Sequence, residues 1–277
     1  PRDYVEVLRR SVPAAVEAAG VEASDIVGIG IDATSATVLL TDRDGTPLCE
    51  KPGFENDIHA YVKLWKHHGA QNQATRLVKI AEARREPWLA RYGGVLSSEL
   101  LLPKVLEVFE MAPQTYAAAD VVVDLVDWLT WRLTGALAAA AGDSGYKRML
   151  QDGSYPSREY LEAVRPGFGA VYEDRMDYPV IPLGGRVGGL TAEFAELMGL
   201  PEGISVAAGN IDAHVVVAGA NAVRPGQLTA ILGTSSCYVL NDRQYHDCPG
   251  VLGIVDGGAV DGSWGFEAGQ TAVGDIF

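Results

Sequence analysis

Three cysteines in 277 residues are too few for a disulfide framework. Cys49, Cys237 and Cys248 form no CxxC pair and no Cys/His cluster at metal-ligand spacing. The expectation is a reduced, cytoplasmic compartment and no structural metal. Positive charge is also scarce. Lys and Arg number 22 against 36 Asp and Glu, a formal net charge of -14. Nucleic-acid and membrane surfaces need a basic patch, so neither partner is expected. No apolar run approaches the ~18 residues of a membrane-spanning helix, and no G-x-x-x-x-G-K-[ST] loop is present. Phosphate binding by a Walker A loop is thereby excluded. The chain opens at Pro1 without an initiator Met and closes at Ile276-Phe277 without a polar tail, so both ends read as cuts from a longer protein.

What is abundant is apolar surface and glycine. A hydrophobic content of 48% and 32 glycines suit a sizeable core with many tight turns. Helical periodicity runs from Tyr4 to Ala19, with Asp3 as cap, Pro13 as a kink and Gly20 as the stop. Short strands are expected at Ile26–Ile31 and Thr37–Leu40, the second turning at Arg43-Asp44-Gly45 into a hairpin toward Leu48. His59 to Arg85 is helical in character, including Trp65-Lys66-His67-His68. Ser97 or Ser98 can cap a helix through Glu110. Val121–Leu125 reads as a strand, and Asp127 opens a helix that Gly135 closes. The stretch from Gly142 to Tyr178 reads as an irregular binding loop. Thr191 caps a helix that ends at Gly199. Beyond Gly203 short strands alternate with glycine turns: Ile204–Ala208, Gln227–Leu232, Cys237–Leu240 and Gly253–Val255. This mixture predicts an α/β class with mixed sheets and a domain boundary near Asp212–Val223.

Four places carry candidate chemistry. Asp212 follows an apolar strand, where open α/β sheets present ligand-contacting groups. It can serve as a general base for a hydroxyl or merely cap the helix starting at Ala213. The turn Gly233-Thr234-Ser235-Ser236 can aim amides and hydroxyls at an anion or be an ordinary hairpin. Lys147, in Gly145-Tyr146-Lys147, is a donor for a sugar or phosphate, or a solvated lysine. Glu267, flanked by Phe266 and Ala268, is a carboxylate that needs a partner if buried. Adjacent His67 and His68 point apart on a helix, so no histidine metal site is expected.

Taken together these segments resemble the FGGY carbohydrate kinases, and among them most the ribulokinases. The matching stretches run nearly the whole length, from Asp3-Tyr4-Val5-Glu6 through Trp65-Lys66-His67-His68, Gly145-Tyr146-Lys147 and Gly209-Asn210-Ile211-Asp212 to Leu232-Gly233-Thr234-Ser235. Glu267-Ala268-Gly269-Gln270 with Ala272-Val273-Gly274-Asp275-Ile276-Phe277 completes them. The G-x-x-D and GTS motifs mark the superfamily, and the WKHH and EAGQ stretches mark the ribulokinases. The resemblance implies an actin-like ATPase (ribonuclease H-like) two-domain fold with both domains incomplete. Residues 1–215 would form the sugar-binding domain, without its first strands, and residues 216–277 the start of the ATP phosphate-binding domain.

It further implies phosphorylation of L-ribulose to L-ribulose 5-phosphate in L-arabinose catabolism, using ATP and Mg2+. Asp212 matches the catalytic base and, with Ser35, Lys147 and Glu267, a sugar contact. Gly233, Thr234 and Ser235 match the ATP phosphate motif, and a homodimer is compatible. Ser35 stands where ribulokinases carry Ala, and Ala33 where Phe is usual. A kinase of D-ribulose or xylulose therefore stays open, as does a non-catalytic sugar-binding module. The family's Asp-x-Gly-Thr motif is absent, since Ala33-Thr34 follows Asp32. On that ground this stretch alone is expected to be inactive.

Overall fold

The computed structural model of the chain describes residues 1–233 and 235–270. Short parallel and antiparallel strand pairs packed among helices lead into one four-stranded antiparallel sheet, so the expected α/β class with mixed sheets holds. The opening helix runs from Arg2 to Ala19, and Gly20 ends it at φ 66°, a left-handed conformation open to glycine at little cost. Pro1 rather than Asp3 occupies the cap, and Pro13 lies inside a helix that continues past it. Val5, Leu8, Val12 and Val16 pack where Phe194 and Met198 of the helix Ala192–Met198 are buried.

The expected strand at Ile26–Ile31 shrinks to Gly28–Ile29, and a second short strand, Asp32–Ala33, follows it. Gly28–Ile29 runs parallel to Ser205–Val206, and Asp32–Ala33 runs parallel to Asn210–Ile211. This interrupted ribbon sets the loop after Ala33 beside Asp212. Val38–Thr41 pairs with Val121–Asp124 instead of completing a hairpin. The turn after it returns only far enough for a single bridge, Thr41 to Pro47.

Two larger expectations are corrected by long-range contacts. The helix predicted from His59 begins only at Gln71. Lys63 exchanges both backbone hydrogen bonds with Val38, each at 2.9 Å, which a helical residue could not do. Trp65-Lys66-His67-His68 is therefore a turn. Residues 142–178 are no open loop either. Helices Ala141–Tyr146, Arg158–Val164 and Val171–Arg175 interrupt the stretch, and Tyr160, Phe168 and Tyr172 anchor it in the main core.

The antiparallel sheet has the order Leu228–Leu232, Ser236–Asp242, Trp264–Gln270, Gly253–Asp256. Tyr146 fastens it to the rest. Its ring is fully buried, and a Cβ on Gly253, Gly258 or Gly265 would overlap it. Three glycines thus form a socket for one tyrosine, and Gly145 in turn has no room for a side chain against Val255. A second fastening is the Arg91 guanidinium, which lies 4.4 Å from the centre of the Tyr245 ring and 4.8 Å from that of Trp264.

The Tyr146 hydroxyl has no hydrogen-bond partner among the described residues. Such a group costs about 1–3 kcal/mol. Tyr146→Phe should therefore keep or raise the denaturant midpoint, whereas Gly265→Ala should lose about 1–3 kcal/mol through overpacking. A second expectation concerns pH. Burial first, and the neighbouring Asp143 next, push the pKa of Asp127 up to about 8. Between the ordinary carboxylate range and that value the folded chain holds a proton that the unfolded chain has released. Stability should accordingly fall as pH rises from the ordinary carboxylate range to about 8. Asp127→Asn keeps an oxygen for the Ala140 N–H, at 2.8 Å in the native structure, and should flatten that slope in denaturant titrations.

Candidate functional site

A cleft of about 560 Å³ opens between the loop at Thr34–Ala36, the turn at Trp65, the approach to helix Leu101–Met111 and the antiparallel sheet. Ser35, Lys147, Asp212, Ser235 and Glu267 all line it. Gly233 is exposed and lies outside the lining. Thr234 falls outside the described residues, as do Ala272 to Phe277.

Lys147 and Glu267, 120 residues apart, meet as a buried pair. Lys147 directly follows the socketed Tyr146 at the end of its helix. Glu267 sits in mid-strand opposite Val239 and Gly253. The ammonium donates to both carboxylate oxygens at 2.9 Å. Burial alone would raise the Glu267 pKa, but the Lys147 charge and His214 hold it well below the usual carboxylate range. Burial likewise disfavours the charged lysine, and Glu267 more than compensates, so the Lys147 pKa is raised. The solvated-lysine reading is thereby excluded. His214 is buried beside them, its Nε2 3.4 Å from Glu267 and its ring edge-on to Tyr146 at 4.5 Å.

Asp212 opens the helix Asp212–Gly219, and its Oδ1 accepts the Ala213 N–H at 2.7 Å. Ile211 rather than Asp212 occupies the cap of this helix, so the capping reading is corrected, and the Asp212 carboxylate lines the cleft from the first helical position. It remains solvent-accessible, yet surrounding protein raises its pKa. Asp32 adds to that rise and the Ala213 N–H opposes it. A carboxylate moved toward neutrality is a stronger proton acceptor.

The turn between Leu228–Leu232 and Ser236–Asp242 begins and ends on the pair Leu232 and Ser236. The Gly233 N–H donates to the Ser235 carbonyl at 3.0 Å, so that amide closes the turn itself. Ser235 faces the cleft. Sequence reasoning passed over Trp65, Ser97, Glu99, Cys237 and His214. The first four line the cleft and His214 lies behind Glu267. Trp65 lies in a stretch that the resemblance singles out and Cys237 directly follows the Ser235-Ser236 pair, but neither position reads as part of a site. His214, Cys237 and Glu267 bring possible metal-ligand atoms within 4.8 Å of one another. That set does not fit a divalent ion while Lys147 occupies both Glu267 oxygens. The Cys237 thiol, moreover, is pushed up to about 12 by burial and by Glu267.

The cleft combines a solvent-accessible carboxylate with a fixed cation–anion pair and hydroxyl donors. Those groups suit a polyhydroxylated ligand from which one hydroxyl proton is taken.

The FGGY family of carbohydrate kinases, N-terminal domain, matches residues 1–219. A ribulokinase of Mycolicibacterium smegmatis is 50% identical over 277 residues, covering 100% of this chain and 49% of that protein. A ribulokinase of Geobacillus thermodenitrificans is 43% identical over 279 residues, again covering 100% of this chain and 49% of that protein. The chain thus spans about half the length of these relatives. Among solved structures, xylulose kinase from Rhodospirillum rubrum superposes with a TM-score of 0.74 at 19% identity, covering 99% of this chain and 52% of that one. Plasmodium falciparum glycerol kinase with ADP gives 0.70 at 16% identity, covering 97% and 52%. Those superpositions show the actin-like ATPase fold, here in part. With most of its length matched by the family's N-terminal domain and every residue aligned to ribulokinases, the chain belongs to the FGGY family of carbohydrate kinases.

Proposed function

We propose that the protein transfers a phosphoryl group from MgATP to the 5-hydroxyl of L-ribulose, a cytoplasmic step of L-arabinose catabolism. The observation that carries this reading is the meeting of Asp212, Lys147 and Glu267 in one cleft. The identity to proteins named ribulokinase supports the choice of sugar. Residues 1–215 serve as the sugar side, and residues 216–277 begin the phosphate side.

Asp212 takes the hydroxyl proton as the sugar oxygen attacks the γ-phosphorus. The bond from that phosphorus to the bridging oxygen breaks, and ADP leaves with the electron pair. Lys147 and Glu267 fix which hydroxyl faces the phosphate, the positioning contribution to catalysis. Held to each other by two hydrogen bonds, they present a donor and an acceptor in set places. Ser35 adds a hydroxyl to the sugar side, while Gly233, Thr234 and Ser235 serve the phosphate side. Mg2+ accompanies ATP as substrate and offsets the charge on the transferring oxygens.

A second reading rests on Ser35. Its place in the cleft lining, where ribulokinases carry Ala, favours a kinase with a broader or shifted ketopentose preference. ADP release by the full-length protein, measured across L-ribulose, D-ribulose and D-xylulose, separates the two. Highest kcat/KM with L-ribulose is expected. A preference for either other sugar would replace the first reading with the second.

Asp212→Asn should lower kcat by about 10²–10⁴ and leave L-ribulose affinity by calorimetry nearly unchanged. Unaltered turnover would remove Asp212 as the base, whereas absence of turnover in the native full-length protein would favour a non-catalytic module. The raised Asp212 pKa also sets a direction. The base works only when ionised, so kcat/KM should fall as pH drops through a value above the ordinary aspartate range. Glu267→Gln leaves the Lys147 ammonium buried without its counter-charge. A loss of about 3–5 kcal/mol in stability is expected, together with a raised KM for the sugar.

A further inference from the structure

Lys104 has no solvent exposure, and no carboxylate lies within ion-pair distance of it among the described residues. Its ammonium donates instead to three backbone carbonyls: Ala36 at 2.6 Å, Leu64 at 2.8 Å and Trp65 at 3.3 Å. Burial pushes its pKa down to about 8, with Asp124 and Glu99 opposing at longer range and Lys63 and Lys147 adding to the fall. A buried charge held only by carbonyls is costly, so what it holds deserves a physical account.

Two of the three partners line the cleft, and the third, Leu64, directly precedes one of them. Ala36 follows Ser35 in the loop after Asp32–Ala33, and Trp65 lines the opposite turn. Ser97, Glu99 and Leu100, which lead into the helix bearing Lys104, also line the cleft. Ala36 is itself unusual. Its φ is 49°, a left-handed conformation in a residue with a Cβ, which costs of order 1 kcal/mol and persists only where surroundings impose it. The hydrogen bond from Lys104 to the Ala36 carbonyl is such an imposition.

We infer that Lys104 is a positioning residue for the sugar side of the cleft, its ammonium acting as a built-in monovalent cation that clamps the Ser35 loop to the Trp65 turn. The inference rests on the reading of this cleft as the ketopentose site. It differs from a packing role in one respect, because the positive charge and its donors matter, not the volume of the side chain.

The test uses Lys104→Ala in the full-length protein, with and without n-propylammonium, whose charged head and short stem replace what the substitution removes. Charged hydrogen bonds of this kind are worth about 1.5–3 kcal/mol. The expected result is a rise of roughly tenfold or more in KM for L-ribulose, with KM for ATP unchanged. Propylammonium should restore the sugar KM in the variant and do nothing in the native protein. Hydrogen exchange gives a second readout that needs no sugar: amides at 35–38 and 64–66 should exchange faster in the variant and be protected again by the amine. If Lys104→Ala does not fold, Lys104→Gln, which keeps amide donors but no charge and leaves no room for the amine, is read by the two KM values and by hydrogen exchange without the amine. Equal damage to both KM values, an unchanged sugar KM, or no response to the amine would each overturn the clamp. A native protein that phosphorylates no ketopentose would sink the functional reading instead, and the exchange measurement would still judge Lys104.

Discussion

The pair of buried charges at Lys147 and Glu267 turns two walls into one cleft. Removing both ions from water is expensive, and attraction in a poorly polarisable interior repays it only when geometry is close to ideal. Here the ammonium reaches both oxygens at the same 2.9 Å. That geometry demands accurate placement of two segments far apart in the chain. Tyr146 in its glycine socket provides it for Lys147, and the central strand of the antiparallel sheet provides it for Glu267. Asp212, Ser35 and Ser235 then acquire meaning as groups at set positions around a fixed polar centre.

The same region departs most often from ordinary folding preferences. Ala36 is left-handed, Lys104 is buried without a carboxylate, and Tyr146 buries an unpartnered hydroxyl. Asp124, Asp127 and Asp143 are buried too, each with a raised pKa caused first by that burial. Natural proteins concentrate such violations at functional sites and offset them elsewhere. The offset here is the apolar core under residues 71–176, where Leu77, Leu101, Leu106, Tyr160 and Phe168 are buried together.

Where local chemistry dictates structure, the chain could be read directly. Gly20 and Gly199 stop their helices with left-handed caps, and Thr191 accepts the Phe194 N–H as a side-chain cap should. The strands after Gly203 lie close to where apolar runs placed them. Reading failed where a distant partner decides. The His59–Gln71 stretch is polar and helix-compatible, but Lys63 pairs with Val38 and prevents it. Trp264–Gln270 is a strand made of Gly, Ala and Gln between bulky residues, with no clear alternation, and only its neighbours on both sides define it. The cleft residues Ser35, Lys147, Asp212 and Glu267 were nameable by resemblance. Their mutual arrangement was not, because it depends on contacts across the whole length. Nothing in the spacing around Lys104 discloses its three carbonyl partners.

The socket has a kinematic meaning. Were the cleft to close around a ligand, closure would need a pivot. Drawing the Tyr146 ring out of its glycines would expose a large aromatic surface and part a buried ion pair, so the pivot cannot run between that ring and the sheet. The short helix Ala141–Tyr146 must therefore ride with the antiparallel sheet as a single moving part, although it precedes that sheet by many residues in the chain. The mechanical seam of the molecule follows its packing, and chain order is a poor guide to which pieces travel together.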